Sequence, residues 1–214
     1  MNTLPTPRRT RRSLATALLA LAACTSAPAL PAMPAATPTT ERVAPPLAAD
    51  SVYQLPVPLV DQSGRAFRLD ERLGRPMLVS MFYTSCQFVC PMLIDALKDT
   101  EKQLAPGERE RLGVLVVSFD PAHDSVDVLK HTADERGLDP TRWALARTDA
   151  TTVRKLAAVL GIQYRALGNG DFNHTTVLVL LDAQGRIVAK TSRLGTADPA
   201  FVKRVRAVLR ETPS

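Results

Sequence analysis

Cysteine and histidine are scarce in this sequence of 214 residues, which contains three of each. The six residues are Cys24, Cys86, Cys90, His123, His131 and His174. A closed structural zinc site needs four ligands, and the sequence does not obviously supply a fourth ligand beside Cys86 and Cys90. The scarcity therefore argues against a zinc site and directs attention to the single close pair of cysteines.

A basic run interleaved with aromatic residues is also missing after residue 24, although the formal charge of the chain is +6. Four arginines lie within the first twelve residues, where there is no acidic residue: Arg8, Arg9, Arg11 and Arg12. Without these four, the remaining 23 basic residues face 21 acidic residues. The excess charge belongs to the N-terminus, and no nucleic-acid partner is expected.

The N-terminal apolar run is too short to cross a bilayer as a helix of the mature protein. It covers residues 14–23, follows the arginines, and ends in the letters LAAC at Cys24. A basic start, a short apolar run and small residues before a cysteine resemble a lipoprotein signal. We predict a signal peptide over residues 1–23 and lipidation of Cys24. The lipid would anchor the protein at the periplasmic face of a bacterial membrane, inner or outer.

A secretory signal cleaved near Ala27 or Ala29 is the alternative to lipidation. If Cys24 carries a lipid, it accounts for the odd number of thiols. Cys86 and Cys90 then remain as an even pair in an exported, oxidising compartment.

Proline and alanine dominate residues 24–49, which show no apolar periodicity. Such a composition is typical of a semi-extended tether. The remaining residues, 50–214, are enough for one sizeable domain and too few for two ordinary domains with linkers. We therefore predict a single folded domain over residues 50–214, and no internal repeat is visible in it.

Strand and helix patterns alternate along this domain. Strands are predicted at residues 77–83, 112–119 and 143–147, and helices after the cysteines up to Pro106-Gly107, at 125–137, at 152–161 and at 198–210. Two hairpins are predicted: one within residues 52–69, placed at a sheet edge by its two prolines, and one of strands 175–182 and 186–192. The order predicts an α/β fold, a mixed β-sheet with helices on both faces and an added N-terminal hairpin.

The cysteines lie in the stretch TSCQFVCP, where a buried strand gives way to a helix. Pro91 suits the first position of that helix because its missing N–H would have no partner there. Cys90 would then sit at the helix N-terminus, and we expect the pKa of its thiol to fall. The pair can be a structural disulfide, a redox couple or two sulfur ligands of a metal.

Copper(I) prefers thiolates and accepts imidazole, so the cysteine pair invites a search for a histidine. His131 falls among charged residues in the middle of a helix and is expected at the surface, and His123 is expected in a loop. His174 follows a glycine-rich loop at the start of the strand predicted from residue 175. If that strand shares a sheet with residues 77–83, His174 can face the cysteines.

Three blocks of sequence, TSCQFVCP, SFDPAHDSVDVLK and NHTTVLVLLDAQGRI, resemble in this order the Sco (SenC) family of copper-binding proteins. The resemblance covers nearly all of residues 52–210. It implies a thioredoxin-like fold and copper ligation by Cys86, Cys90 and His174. It also implies a role in delivering copper to the dinuclear copper site of cytochrome c oxidase, or in keeping that site reduced.

One residue departs from the family pattern: Asn173 precedes the histidine where an aspartate is common, which can alter the tuning of the imidazole. Asp120 and Asp124 match an acidic loop of the family. We expect a structural role for both, with Asp124 capping the helix that begins near Ser125 and Asp120 forming a turn. Three methionines that could bind copper are expected instead to pack in the core: Met77, Met81 and Met92.

The sequence thus predicts a monomeric, membrane-tethered copper metallochaperone that is not an enzyme. It would hold Cu(I), with Cu(II) left open, and pass copper to a cytochrome c oxidase subunit or another periplasmic copper protein. The alternative is a periplasmic thiol-disulfide oxidoreductase that uses Cys86 and Cys90 as its redox pair. In either case the two thiols can form a disulfide, and the oxidised pair should not bind Cu(I).

Overall fold

A computed structural model describes residues 47–168 and 170–212. The predicted signal peptide, the lipidation site Cys24 and nearly all of the predicted tether lie outside these residues, so those assignments stay predictions. Among the described residues, no helix combines the length and the apolar character that a membrane span requires.

The described residues form one large sheet and one small sheet. The nine strands are β1 (Pro58–Asp61), β2 (Ala66–Arg68), β3 (Met77–Phe82), β4 (Gly113–Ser118), β5 (Trp143–Arg147), β6 (Tyr164–Ala166), β7 (Phe172–His174), β8 (Leu178–Leu181) and β9 (Ile187–Thr191). The large sheet has the order β2-β1-β5-β4-β3-β8-β9, and β6 pairs only with β7. Strands β3, β4 and β5 run parallel, while the outer pairs are antiparallel. The mixed sheet predicted from the sequence is confirmed.

Five α-helices accompany the large sheet within the described part of the chain. They are α1 (Val89–Lys102), α2 (Pro106–Arg111), α3 (Val126–Glu135), α4 (Ala150–Leu160) and α5 (Pro199–Glu211). Every residue of β3 and β4 is buried, so both faces of the sheet are covered at its centre. Strands buried on both sides read as continuous apolar runs, which is why the sequence identifies these two so clearly.

Short polar side chains start the later helices. The hydroxyl of Ser125 accepts from the backbone N–H of Val128 at the start of α3. The carboxylate of Asp149 accepts from two backbone N–H groups at the start of α4, and Asp198 does the same for α5. These caps satisfy N–H groups that have no partner within the helix.

The N-terminal hairpin is present, but its predicted edge position is wrong for β1. Strand β1 lies between β2 and β5, so that β2 forms the edge of the sheet. Pro58 is tolerated because only Val60 and Asp61 of β1 pair with β5. The absent N–H of Pro58 therefore interrupts no hydrogen bond of that ladder.

The predicted end of the first helix is also wrong. Helix α1 ends at Lys102, and Pro106 does not terminate it but begins α2, a short helix that the sequence pattern does not predict. Proline is favourable at a first helical position for the same reason that it is unfavourable further on, namely its missing N–H.

Candidate metal centre

The two cysteines lie where β3 passes into α1. Helix α1 begins at Val89 with Phe88 as its N-cap residue, two positions earlier than Pro91 predicts. Pro91 is therefore the third helical residue, where an N–H would still lack a partner within the helix. Cys90 lies in the first turn and is buried, with 2% of its surface exposed, whereas Cys86 lies in the preceding loop and is half-buried.

The start of α1 favours the thiolate of Cys86, not that of Cys90. Burial opposes ionisation of Cys86, but its sulfur accepts hydrogen bonds from the backbone N–H groups of Cys90, Phe88 and Val89, and these lower the pKa of its thiol. The Cys90 nitrogen lies 3.4 Å from the Cys86 sulfur. Burial raises the pKa of the Cys90 thiol. The predicted low pKa is thus wrong for Cys90, because the free amides point back at the residue that precedes the helix.

Asp124 anchors the cysteine loop, residues 83–88 between β3 and α1. It does not cap α3, so its predicted capping role is wrong. Its carboxylate has 1% of its surface exposed and accepts from the backbone N–H of Thr84 at 3.2 Å. It also accepts from the hydroxyl groups of Thr84 and Ser118. Burial raises the pKa of Asp124. Asp124 therefore ties the loop that holds Cys86 to the end of β4.

Asp120 forms the predicted turn. Its backbone carbonyl accepts from the backbone N–H of Asp124, and its carboxylate lies 2.8 Å from Nδ1 of the exposed His123. His131 is exposed as predicted, with Nε2 3.2 Å from the Glu135 carboxylate. None of these side chains belongs to the group of potential ligands around the cysteines.

His174 lies on the small sheet, at the end of β7, where it pairs with Tyr164 of β6. The sequence pattern does not predict this hairpin; it predicts the histidine at the start of the following strand, but β8 starts only at Leu178. Strands β6 and β7 have three residues each, and none of these residues is fully buried. Such short segments carry too little apolar periodicity to be recognised.

Aromatic rings join this hairpin to the large sheet. Tyr83 and Phe119 directly follow the parallel strands β3 and β4, and their ring centroids are 5.2 Å apart. Phe172 lies 5.0 Å from each of these rings, and the imidazole of His174 lies 5.0 Å from Phe119 and 5.9 Å from Tyr83. None of these aromatic residues is among the site residues predicted from the sequence. Their equivalent positions after two paired strands are the signal that could have revealed them.

The three predicted ligands meet at this point. Cys86, Cys90 and His174 each offer one ligand atom, and these atoms all lie within 4.8 Å of one another. The three side chains are therefore close enough to bind one metal ion. Within residues 47–168 and 170–212, no other set of three or more histidine, cysteine or acidic side chains is arranged in this way.

The imidazole is suited to ligation. Its Nδ1 lies 3.3 Å from the Thr175 carbonyl oxygen and 3.3 Å from the Thr176 hydroxyl oxygen. A carbonyl only accepts, so a hydrogen bond to it places the proton on Nδ1 and leaves the lone pair of Nε2 free. Burial lowers the pKa of His174, which keeps the ring neutral at neutral pH. Two thiols and a neutral imidazole are the donor types that copper(I) prefers.

Met77 and Met81 are buried in β3 as predicted, whereas Met92 is 45% exposed and its predicted core position is wrong. Met92 lies on the side of α1 that faces the loop around Gly195.

Cys86 and Cys90 are free thiols in this structure, so their disulfide stays a prediction.

Known proteins are similar to this chain in sequence or in fold. A candidate copper-binding protein of Stutzerimonas stutzeri is 31% identical over 72 residues, or 34% of this chain, and the match spans only 35% of that relative's length. A candidate electron transfer protein from Aquifex aeolicus VF5 has 26% identity and a TM-score of 0.66, covering 77% of this chain and 95% of its own. Yeast Sco1, crystallised with copper bound, shares the fold, with a TM-score of 0.62 and 20% identity over 72% of this chain and 87% of its own.

The family assignment rests on a family model that matches well over half of the chain. The SCO1/SenC family model covers residues 48–210, which include all three predicted ligands and every strand of the two sheets. The chain therefore belongs to the SCO1/SenC family.

Proposed function

We propose that this protein is a copper metallochaperone that holds copper through Cys86, Cys90 and His174 and passes it to another protein. The observation that carries the proposal is the convergence of their three ligand atoms to within 4.8 Å. The cysteines follow a strand of the large sheet, whereas the histidine lies on the small sheet, so their meeting is a property of the fold and not of one local motif.

The donor set fits a copper cargo. Cys86 offers a thiolate most readily, and the thiol of Cys90 loses its proton when the metal binds, because only thiolates are effective ligands. His174 contributes a neutral imidazole. Soft sulfur donors favour Cu(I), and the imidazole leaves Cu(II) as a second state that the site can hold.

Transfer follows from the low number of ligands and from the unequal burial of the cysteines. With three ligands, one side of the ion is open to an incoming thiolate or histidine of the partner. Cys86 is the more accessible of the two sulfurs, and Cys90 is buried. We expect the partner to approach over Cys86, exchanging ligands one at a time so that no free ion is released.

Anaerobic Cu(I) titration of the purified protein tests the proposal. We expect one copper per chain, and an affinity that falls by at least about tenfold in His174→Ala, since even partners of metal ligands contribute factors of this size. His131→Ala is the matched control, because His131 is exposed and pairs only with Glu135 among the contacts described. Equal affinities for the wild type and His174→Ala would contradict the three-ligand site.

A thiol-disulfide oxidoreductase is the second candidate, and the unequal cysteines favour it. A half-buried thiol of lowered pKa beside a buried thiol of raised pKa matches the attacking and resolving thiols of such enzymes. This function does not need His174. If His174→Ala leaves copper affinity and oxidase maturation unchanged while disulfide reductase activity persists, the oxidoreductase function replaces the metallochaperone.

The family and the N-terminal sequence support a proposed partner and a proposed location. We propose that a copper-site subunit of cytochrome c oxidase, or another periplasmic copper protein, receives the metal from a monomer. A lipid on Cys24 would hold the protein at the periplasmic face of the membrane. Cys24→Ser should release the protein from the membrane fraction, and removal of the protein should lower the copper content of the oxidase. Unchanged fractionation would contradict the lipid anchor, and an unchanged oxidase would contradict that recipient.

A further inference from the structure

The β2–β1–β5 edge of the large sheet carries an open groove of about 680 Å³. Pro58 lies opposite Arg68, and Val60 lies opposite both Ala66 and Arg147. Directly opposite residues of antiparallel strands point to the same face of a sheet, so these five side chains form one surface. All five line the groove, and none of them is fully buried. This face of the sheet is therefore open to a ligand.

Two buried polar atoms without a described partner belong to residues that line the groove. They are Nε of Arg147 and the hydroxyl oxygen of Thr148, and neither has a hydrogen-bond partner among the described residues. Buried polar groups in proteins are ordinarily hydrogen-bonded, so such a pair of atoms calls for an explanation. Another nitrogen of Arg147 donates to the Pro121 carbonyl oxygen at 2.7 Å, which fixes the plane of the guanidinium group. Its remaining donors are thus held in a constant direction.

Arg147 is also a cation without a described acidic partner. Arg68, the other arginine of the groove, pairs with Asp70, but none of the ion pairs within the described residues involves Arg147. Two acidic side chains line the groove, and both are engaged with backbone N–H groups. Glu71 accepts from that of Arg68 at 2.7 Å, and Asp149 caps α4. An incoming anion can therefore pair with Arg147 without displacing a described contact.

We propose that this groove binds a small organic carboxylate, with the carboxylate group on Arg147 and Thr148 and an apolar body on the exposed face of β1 and β2. The planar guanidinium fork matches the geometry of a carboxylate. A groove of this volume, lined mainly by apolar groups with a few convergent polar ones, is typical of small-molecule sites. The site contains none of the three proposed copper ligands, so the inference goes beyond the proposed function.

Titration of the metal-free protein with phenylbutyrate, followed in NMR spectra of the backbone amides, tests the inference. We expect saturable shifts at Val60 and Ala66, with a dissociation constant of about 1 mM or lower, as befits a ligand of this size. The neutral amide of the same acid is the control probe. It should bind at least about tenfold more weakly, because it cannot form charge-assisted hydrogen bonds with Arg147.

Two variants separate the charge from the shape of the groove. Arg147→Gln should weaken phenylbutyrate binding about tenfold. Arg210→Gln is the matched control, because Arg210 is an exposed arginine in the last turn of α5 that does not line the groove, and its affinity should equal that of the wild type. Ala66→Trp fills the groove from an exposed position and keeps the charge, so it tests the site even if Arg147→Gln does not fold. We expect it to lower the affinity more than tenfold.

Three results would overturn the inference. They are the absence of saturable shifts in the wild type, equal affinities for phenylbutyrate and its neutral amide, and undiminished binding in Arg147→Gln or Ala66→Trp. Copper takes no part in these measurements. The carboxylate site can therefore fail while the metallochaperone function holds, and the reverse is equally observable.

Discussion

The metal centre has a sulfur half, Cys86 and Cys90, and an imidazole half, His174. The two halves are held in place in different ways. The cysteine loop continues from β3, which is buried throughout and pairs with β4 and β8 on either side. Asp124 then ties this loop to the end of β4. The imidazole is carried by a hairpin of two three-residue strands that pairs with no strand of the large sheet.

The sulfur half is therefore held by the core of the large sheet, whereas the position of the imidazole half depends on the packing of side chains. A two-stranded hairpin is marginally stable by itself. The contacts of Phe172 with Phe119 and Tyr83 must therefore supply much of what places His174 near the cysteines. Substitutions can test the two halves separately. The aromatic rings around Phe172 act on the imidazole half, and the hydrogen bonds of Asp124 act on the sulfur half.

Removing the sulfur half should have the largest effect. We expect Cys86→Ser combined with Cys90→Ser to lower Cu(I) affinity by more than about a hundredfold, which exceeds the usual effect of altering a partner of a metal ligand. Oxidation of the pair with a mild oxidant should have the same effect, and a reductant should reverse it. Equal copper loading of the oxidised and reduced protein would argue against thiolate ligation.

Loosening the imidazole half should have a smaller effect on binding. In Phe172→Ala the hairpin loses ring contacts with Phe119 and Tyr83, so we expect Cu(I) affinity to fall about tenfold because His174 is no longer held in place. Phe88→Ala is the control, since the side chain of Phe88 is 80% exposed and makes no described ring contact. An affinity of Phe172→Ala equal to that of the control would show that the hairpin is positioned by other means.

Asp124 holds the loop that carries Cys86. A substitution of Asp124 should change how the free energy of unfolding depends on pH. Because its pKa is raised above the ordinary value of 3.8, the folded protein keeps this proton to a higher pH than the unfolded chain does. The contribution of Asp124 to the free energy of unfolding therefore falls as the pH rises from about 4 through the raised pKa, and is constant above it.

Asp124→Asn removes this titration. Over the same pH range the variant should lose less stability than the wild type, measured by urea unfolding at a series of pH values. Asp134→Asn, which alters an exposed carboxylate paired with Lys130, serves as the control. Parallel curves for the wild type and Asp124→Asn would contradict the raised pKa.

The smallest effect is expected at Asn173, where the sequence predicts a departure from the family pattern. Successive side chains of a strand point to opposite faces, and Asn173 is exposed while Phe172 and His174 on either side of it are half-buried. Asn173→Asp should therefore change Cu(I) affinity by no more than about twofold, within the range of a weak surface charge effect. A change of tenfold or more would show that a carboxylate at this position reaches the imidazole.

The same contrast explains what the sequence could reveal. Strands β3 and β4 are predictable because a strand that is buried on both faces has a continuous run of apolar residues. The hairpin β6–β7 was missed because short, partly exposed strands leave no such pattern. His174 was nevertheless identified as a ligand candidate, through the chemistry of copper and the family resemblance and not through its secondary structure.

The errors in the predicted site arise from shifts of one or two residues in the predicted start of a helix or in its predicted cap. Moving the start of α1 by two residues transfers the helix amides from Cys90 to Cys86, and with them the lowered pKa. Asp124 and Ser125 are adjacent and both are favourable capping residues, so the sequence alone cannot decide which of them caps α3. The buried hydrogen bonds of Asp124 join three separate segments, and only the folded structure brings those segments together.

X-ray absorption spectroscopy of the Cu(I)-loaded protein tests the central claim most directly, because it identifies the atoms bound to the metal. The account predicts two sulfur atoms and one imidazole nitrogen around copper in the wild type, and loss of the imidazole signal in His174→Ala with both sulfur atoms retained. Identical spectra for the wild type and His174→Ala, with sulfur as the only protein ligand, would contradict it.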